Sequence, residues 1–229
     1  MDKKILNKLT LDELVKWSPW PARLLSLVPF KIKYKTPKSI AREFGNDKWG
    51  KLFQHFLDKN KFTLFDVEAA EQNIHEIIPC FEHGIGFYST TVKQANRKQI
   101  EIFKNNLSPF IKDASCLVEL GAGYGSKLLS LSEINPLDKL PLYAAEYTKS
   151  GCDLIKLISQ KTNKQVKVGS CDFDQLSIND LEIPKNSIIF TSYSVHYVNK
   201  LKKRFVEFIA KLKPKVVVHF EPCYEYFDE

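Results

Sequence analysis

The chain has 229 residues, 44% hydrophobic and 27% charged, which is enough apolar content for a real core and excludes global disorder. Nine glycines and eleven prolines exclude collagen-like and low-complexity architectures. No run approaches eighteen uninterrupted apolar residues, which argues against a membrane span. The net charge of +7 is uneven: residues 1–62 hold fourteen basic and six acidic side chains, and the rest is nearly neutral. Such a basic arm suits nucleic acid, an acidic peptide or a phosphorylated substrate, and equally a Lys-rich solvated surface, because basic surface alone specifies no partner. The opening Met1-Asp2-Lys3-Lys4-Ile5-Leu6-Asn7-Lys8 lacks the apolar centre of a secretory signal. The five cysteines (Cys80, Cys116, Cys152, Cys171, Cys223) show neither C-x-x-C nor metal-ligand spacing. The expectation is a cytoplasmic protein with free thiols and no metal site.

Residues 1–110 read as helices separated by turn signals. Thr10-Leu11-Asp12-Glu13 has capping-box spacing. Thr36-Pro37 opens a second helix with Gly45 as its stop, and Trp49, Leu52, Phe53, Phe56 and Leu57 carry a third at helical spacing. Thr63 starts a fourth helix running through Ile78, and Thr91 a fifth through about Leu107. Between them, residues 80–89 are glycine-punctuated and aromatic and read as a loop with capacity to move.

After Pro109 short β-branched runs alternate with helix-period segments. Strands are expected at 116–120, 142–146, 166–169, 187–191 and 216–220, with helices at 126–134, 150–162 and 201–212. That alternation argues an α/β fold, a doubly wound parallel sheet with crossover helices. Ile188-Ile189-Phe190 and Val216-Val217-Val218 do not alternate, as befits strands buried on both faces.

The first of these strands ends in Glu119-Leu120-Gly121-Ala122-Gly123-Tyr124-Gly125 and runs straight into a helix. Gly121 and Gly123 allow a sharp turn and close ligand approach, and Gly125 lets the helix start near the strand. Glu146 closes the next strand about twenty residues on, where an acid can accept both hydroxyls of a ribose. A dinucleotide site would prefer G-x-G-x-x-G, and this spacing differs.

Across roughly residues 111–221 the chain resembles the class I S-adenosylmethionine-dependent methyltransferases, whose first motif, an acid followed by x-G-x-G-x-G, is matched by Glu119 to Gly125. The resemblance implies a Rossmann-like domain over 111–229 that binds S-adenosyl-L-methionine, with the helical region 1–110 as lid and substrate wall. It implies that Glu119, Gly121, Ala122 and Gly123 cradle the methionine moiety, that Glu146 holds the ribose, and that Asp172 and Phe173 meet the adenine. Tyr193, after the fourth strand, joins the cofactor residues. The family core has seven strands, and this sequence runs only nine residues from Glu221, just past the fifth strand. The expectation is therefore a core lacking the last two strands, in a short variant, a shortened form or a chain whose open edge a partner covers, which gives a homodimer some weight.

For the acceptor, the fourth strand leads into Thr191-Ser192-Tyr193-Ser194-Val195-His196-Tyr197, at the strand ends where open α/β sheets bind ligands. The Asn/Asp-Pro-Pro-Tyr/Phe signature for base amines is absent. His196 resembles a histidine found there in many small-molecule methyltransferases and can take a proton; simple packing is the other reading. Glu221, Tyr224 and Glu225 after the fifth strand suit a cationic acceptor, with a solvated acidic tail as the plain reading, and Cys223 as a nucleophile is a minor one. Tyr88 in the glycine-flanked loop is a weaker candidate for closing over substrate. The expected function is methyl transfer to a nitrogen of a small molecule or peptide, with O-methylation, RNA methylation or an inactive cofactor-fold binding module as alternatives.

Overall fold

The computed structural model describes residues 7–17, 35–82, 84–198, 201 and 203–222. The expectations for Tyr224, Glu225 and Cys223, and for much of the basic arm, lie outside these residues. The described chain falls into two compact units. One contains Gln72–Glu101 with the described residues before position 18; the other contains the described residues of 35–71 and 102–222. Residues 35–71 thus fall in the same unit as the large sheet.

In the first unit, β1 (Asn7–Lys8) precedes α1 (Leu11–Trp17). The Thr10 box forms: Thr10 N–H donates to Glu13 Oε2 at 2.8 Å and Glu13 N–H to Thr10 Oγ1 at 3.3 Å. Strands β2 (Ile77–Glu82) and β3 (Gly86–Thr91) pair antiparallel, and the sheet order is β1-β3-β2. Two expectations change here: the helix expected from Thr63 through Ile78 ends at Glu71, and a hairpin takes the place of its last residues and of the loop at 80–89. Ile77, Ile78 and Phe81 favour extended backbone, Pro79 is tolerated because β2 is an edge strand, and Gly84 and Gly86, at φ of +80° and +91°, supply the turn. Tyr88 consequently sits in β3 opposite Cys80, buried, with its hydroxyl 3.5 Å from Glu82.

In the second unit, Thr36 caps α2 (Pro37–Ile40), accepting from Ser39 N–H at 3.1 Å. Gly45 does not end this helix. The chain continues as a π-helical stretch (Ala41–Gly50) into α3 (Lys51–Leu57). A Cβ at Gly50 would stand 2.5 Å from the Gly45 carbonyl oxygen, so the wide coil depends on glycine there. The Gly45 carbonyl accepts from Ser150 Oγ at 2.6 Å. Helix α4 (Leu64–Glu71) opens with a reciprocal Thr63–Asp66 cap; α5 (Val92–Leu107) follows the hairpin, its residues through Glu101 in the first unit and those from Ile102 in the second.

The large sheet is built from β4 (Leu117–Leu120), β5 (Leu142–Glu146), β6 (Val166–Asp172), β7 (Ser177–Asn179), β8 (Ile188–Ser192) and β9 (Val216–Phe220) in the order β7-β6-β5-β4-β8-β9. All neighbours are parallel except β7, a three-residue edge strand antiparallel to β6 that the sequence pattern does not reveal. Helices α6 (Ser126–Leu131), α7 (Lys149–Lys161) and α8 (Phe205–Lys211) complete the unit. Leu117, Val118, Leu120, Ile188, Ile189 and Phe190 are fully buried, each contributing about 1.5–3 kcal/mol of hydrophobic stabilisation. One core cluster joins Trp49, Phe56, Val67, Leu154 and Ile158; the other joins Val118, Ala145, Phe173, Ile189 and Phe205. Chain order reverses between β4 and β8, where Leu120 lies beside Thr191, and such a reversal opens a crevice at the strand ends.

Candidate functional site

The glycine turn after β4 leads this crevice. Gly121, Gly123 and Gly125 take φ of +71°, +58° and +80°, a region closed to most side chains. A Cβ on Gly121 would collide with Ser194, and one on Gly123 would lie 3.2 Å from the Trp49 ring. The amides of Gly121 and Ala122 both donate to the Ala145 carbonyl, at 2.8 and 3.1 Å, which anchors the turn to the end of β5.

Glu119 is 2% exposed. One of its oxygens accepts from Leu128 N–H at 3.1 Å, in the first turn of α6. Burial pushes its pKa up to about 8, against the Leu128 hydrogen bond and the Lys127 charge, so it is largely neutral at pH 7. The buried carboxyl holds α6 to the strand through the Leu128 amide.

Glu146 closes β5 and is also buried. Gly123 N–H donates to Oε2 at 2.8 Å, while Thr148 donates to Oε1 from its amide at 3.0 Å and its hydroxyl at 2.9 Å. Burial raises its pKa, opposed by these hydrogen bonds. The Thr148 oxygen also caps α7 by accepting from Gly151 N–H at 3.2 Å. Glu146 therefore ties the glycine turn to the start of α7. A carboxylate has about four lone-pair directions, and the Gly123, Thr148 and Tyr147 amides with the Thr148 hydroxyl engage them, so a diol would share this acid by displacing the Thr148 hydroxyl among others. Beside it, a cleft of about 1140 Å³ opens between the π-helical stretch and α7, lined by Gly45, Asn46, Gln54, Tyr147, Thr148 and Ser150.

Asp172 ends β6 in a tight turn, its Oδ1 accepting from the amides of Asp174 and Gln175 at 2.8 and 2.9 Å. Phe173 is buried, packs edge-on against Phe205 with centroids 5.5 Å apart, and reaches within 3.4 Å of a Cβ on Gly121. The ring expected against an adenine thus lines the glycine turn. Tyr147, not anticipated from the sequence, is 37% exposed; burial and the carboxylates of Asp172 and Asp174 push its hydroxyl pKa up. Its signal is its place immediately after the acid at the end of β5.

Across the crevice Tyr193 adopts φ of +50°, rare for a bulky residue and a mark of stored local strain. This kink folds the chain after β8 so that backbone amides converge on Glu221. Ser194 N–H lies 3.0 Å from both Glu221 oxygens, and His196 N–H lies 3.4 Å from Oε2. His196 Nδ1 is 3.1 Å from Oε2. Burial alone would raise the Glu221 pKa, but hydrogen bonds from His196 and the Ser194 and Val195 amides outweigh it and hold it at about 2. An ionised Glu221 requires a hydrogen on Nδ1, which leaves the lone pair of the neutral ring on Nε2. The ring of His196 lies 4.0 Å from that of Tyr197, which meets Phe44 at 5.2 Å; Phe44 meets Trp49 at 5.8 Å, and Trp49 meets Tyr124 at 5.0 Å. An aromatic wall thus runs from the histidine to the glycine turn. Trp49, Phe44 and Tyr197 were read only as helix or strand-end residues, because their convergence depends on the docking of the π-helical stretch.

The structure therefore brings Glu119, Gly121, Ala122, Gly123, Glu146, Asp172, Phe173, Tyr193, His196 and Glu221 to the C-terminal edge of one sheet, and Tyr88 belongs to the other unit. Among the described residues no group of three His, Cys, Asp or Glu is placed to hold a metal ion, and no helix is long and apolar enough to cross a membrane. For S-adenosylmethionine the donor set fits: bare glycine backbone, a buried acid bonded to it, and aromatic walls at the crevice.

Neither a protein-family model nor a curated protein sequence matches the chain. Solved structures do resemble it. The [4+2]-cyclase SpnF aligns over 79% of the chain at 13% identity with a TM-score of 0.50. Coclaurine N-methyltransferase, bound to N-methylheliamine and S-adenosylhomocysteine (SAH), aligns over 93% at 15% identity and 0.45. Geranyl diphosphate methyltransferase, in complex with GPP and sinefungin, aligns over 66% at 12% and 0.42. The chain spans 58% of the length of each. At these identities the likeness is one of fold, and the fold is the Rossmann-like α/β sheet described above.

Proposed function

We propose that the chain is an S-adenosylmethionine-dependent methyltransferase acting on a small molecule, and that its acceptor is a hydroxyl activated by His196. The observation that carries this reading is the His196–Glu221 pair, 3.1 Å apart, at the strand ends across the crevice from the glycine turn. Bound there, the cofactor supplies an already activated methyl group. Gly121, Ala122 and Gly123 would hold it on their backbone, Glu146 would share its carboxylate with the ribose, and Phe173, Asp172 and Tyr147 would flank the adenine.

The chain's own chemistry is then the handling of one proton. Glu221, ionised and fixed by the Ser194 and His196 amides, holds the imidazole through Nδ1–H, so that Nε2 takes the acceptor's proton. A neutral amine needs no such help to attack, whereas a hydroxyl gains from a base in the transition state by a factor of about 10²–10⁴. Glu221 was read as the partner of a cationic acceptor. It is committed instead to His196 and Ser194, and Glu43 is committed to Lys35 at 2.6 Å and Lys48 at 3.9 Å. Lys35 lies 4.7 Å above the Tyr197 ring, which makes the wall beside His196 unfavourable for a second cation. Methylation of nitrogen remains the second reading, because a neutral amine needs neither a base nor a seat for a cation.

Calorimetry with SAH tests the cofactor. A methyl-transfer screen across phenols, alcohols, carboxylic acids, amines and short peptides tests the acceptor. The expected result is a hydroxylated hit whose kcat falls at least about 10²-fold in His196→Asn. An amine hit indifferent to His196→Asn would replace the hydroxyl assignment, and no SAH binding would remove the methyltransferase.

A further inference from the structure

We infer that Ser194 is a positioning residue that couples occupancy of the Gly121 turn to the His196–Glu221 pair. The inference rests on the cofactor reading above and goes beyond it by assigning a communication between the two halves of the site.

Ser194 touches both halves. Its hydroxyl lies 3.2 Å from the Leu120 carbonyl, the last of β4, and 3.3 Å from Glu221 Oε1. Its amide is 3.0 Å from both Glu221 oxygens. Its Cβ occupies the place where a side chain on Gly121 would be, so a ligand seated on that turn lies against Ser194. A serine hydroxyl carries one hydrogen, and here two acceptors compete for it at nearly equal distance. Donated to Leu120, the hydrogen fastens Ser194 to the glycine turn; donated to Glu221, it adds a charge-assisted bond to the carboxylate that orients His196.

A ligand that brings its own donor to the Leu120 carbonyl releases the hydroxyl to Glu221 and tightens the pair. The charged and titratable groups facing this exchange are Glu221, His196 and His219, with Thr191 holding His219 Nδ1 at 2.9 Å and Tyr193 and Tyr197 flanking His196 at 6.1 and 4.0 Å between ring centroids. Linkage makes the effect reciprocal: if the ligand tightens the pair, the charge on Glu221 must strengthen the ligand.

The test is a double-mutant cycle on SAH affinity, measured by calorimetry on the full chain. Glu221→Gln keeps the shape but offers the hydroxyl a neutral acceptor, and it should weaken binding by at least about fivefold. Once Ser194→Ala has removed the hydroxyl, adding Glu221→Gln should change affinity less than about twofold. Circular dichroism establishes that each variant is folded; if Glu221→Gln is not, Glu221→Asp, which withdraws the carboxylate from the hydroxyl, takes its place in the cycle. Independent, multiplying effects of the two substitutions would overturn the coupling while leaving the cofactor site standing. Failure of the unaltered chain to bind SAH would overturn the cofactor reading, and the coupling with it.

Discussion

Removal of the Glu146 carboxylate is the most direct probe of how the glycine turn is held. In Glu146→Ala the Gly123 amide and the Thr148 amide, bonded at 2.8 and 3.0 Å, lose their acceptor, and the Thr148 hydroxyl loses its partner at 2.9 Å. Each buried donor left unsatisfied costs about 1–3 kcal/mol. Relief of the carboxylate's own burial, which raises its pKa, returns part of this. The net expectation is a loss of about 3 kcal/mol in the unliganded protein, roughly 6–12 °C in Tm for a chain of this size. Glu146→Gln retains one carbonyl acceptor and should lose about half as much. Urea unfolding followed by circular dichroism measures the stability, and calorimetry with SAH measures the ligand, whose affinity should fall at least about tenfold in both variants. Equal midpoints for Glu146→Ala and the parent would refute the reasoning, because they would mean that the carboxylate does not brace the turn.

Glu119→Gln should remove a pH dependence. A folded pKa near 8 against an ordinary 4.5 means that Glu119 favours the fold fully below pH 4.5 and loses that contribution as pH rises to 8; denaturant midpoints of the variant should gain on the parent by about 2–4 kcal/mol between pH 5 and pH 9. Glu221 works in the opposite sense. Its folded value of about 2 gives stability present above pH 4.5 and lost as pH falls toward 2, about 2 kcal/mol once partial solvent contact is allowed for, and Glu221→Gln should flatten that acid limb in unfolding curves taken from pH 6 to pH 2. Gly121→Ala forces a side chain into φ of +71° against Ser194, so SAH binding should vanish in calorimetry with a stability loss of at least about 1–2 kcal/mol; full binding would show that the turn is not the ligand's seat.

The pattern of the sequence determines the large sheet because each of its signals is local. The uninterrupted apolar run Ile188-Ile189-Phe190 is buried on both faces of the parallel sheet as expected, whereas Val216-Val217-Val218, read by the same rule, is only half-buried because β9 is an edge strand. Glycines between a strand and a helix permit backbone angles that other residues resist, so Gly121, Gly123 and Gly125 mark their turn without help from distant residues. Acids at strand ends can be placed at the sheet's C-terminal edge from the same alternation. Their protonation and partners cannot, because burial and hydrogen bonding belong to three-dimensional surroundings. Glu119, placed by the resemblance among the residues that cradle the methionine moiety, is buried and bonded to the Leu128 amide. Glu221 was read as a seat for a cation and is locked to His196 by a kink at Tyr193 that no periodicity announces. The hairpin at residues 77–91 and the π-helical stretch through Gly45 likewise escaped the pattern: the first because Ile77 to Phe81 extends only in the company of β3, the second because its wide turn is stabilised by Ser150, 105 positions away in the chain. Trp49 and Ser194 reach the glycine turn through that long-range packing. Only the tertiary structure could decide it, since their proximity arises from contacts between segments that share no local signal.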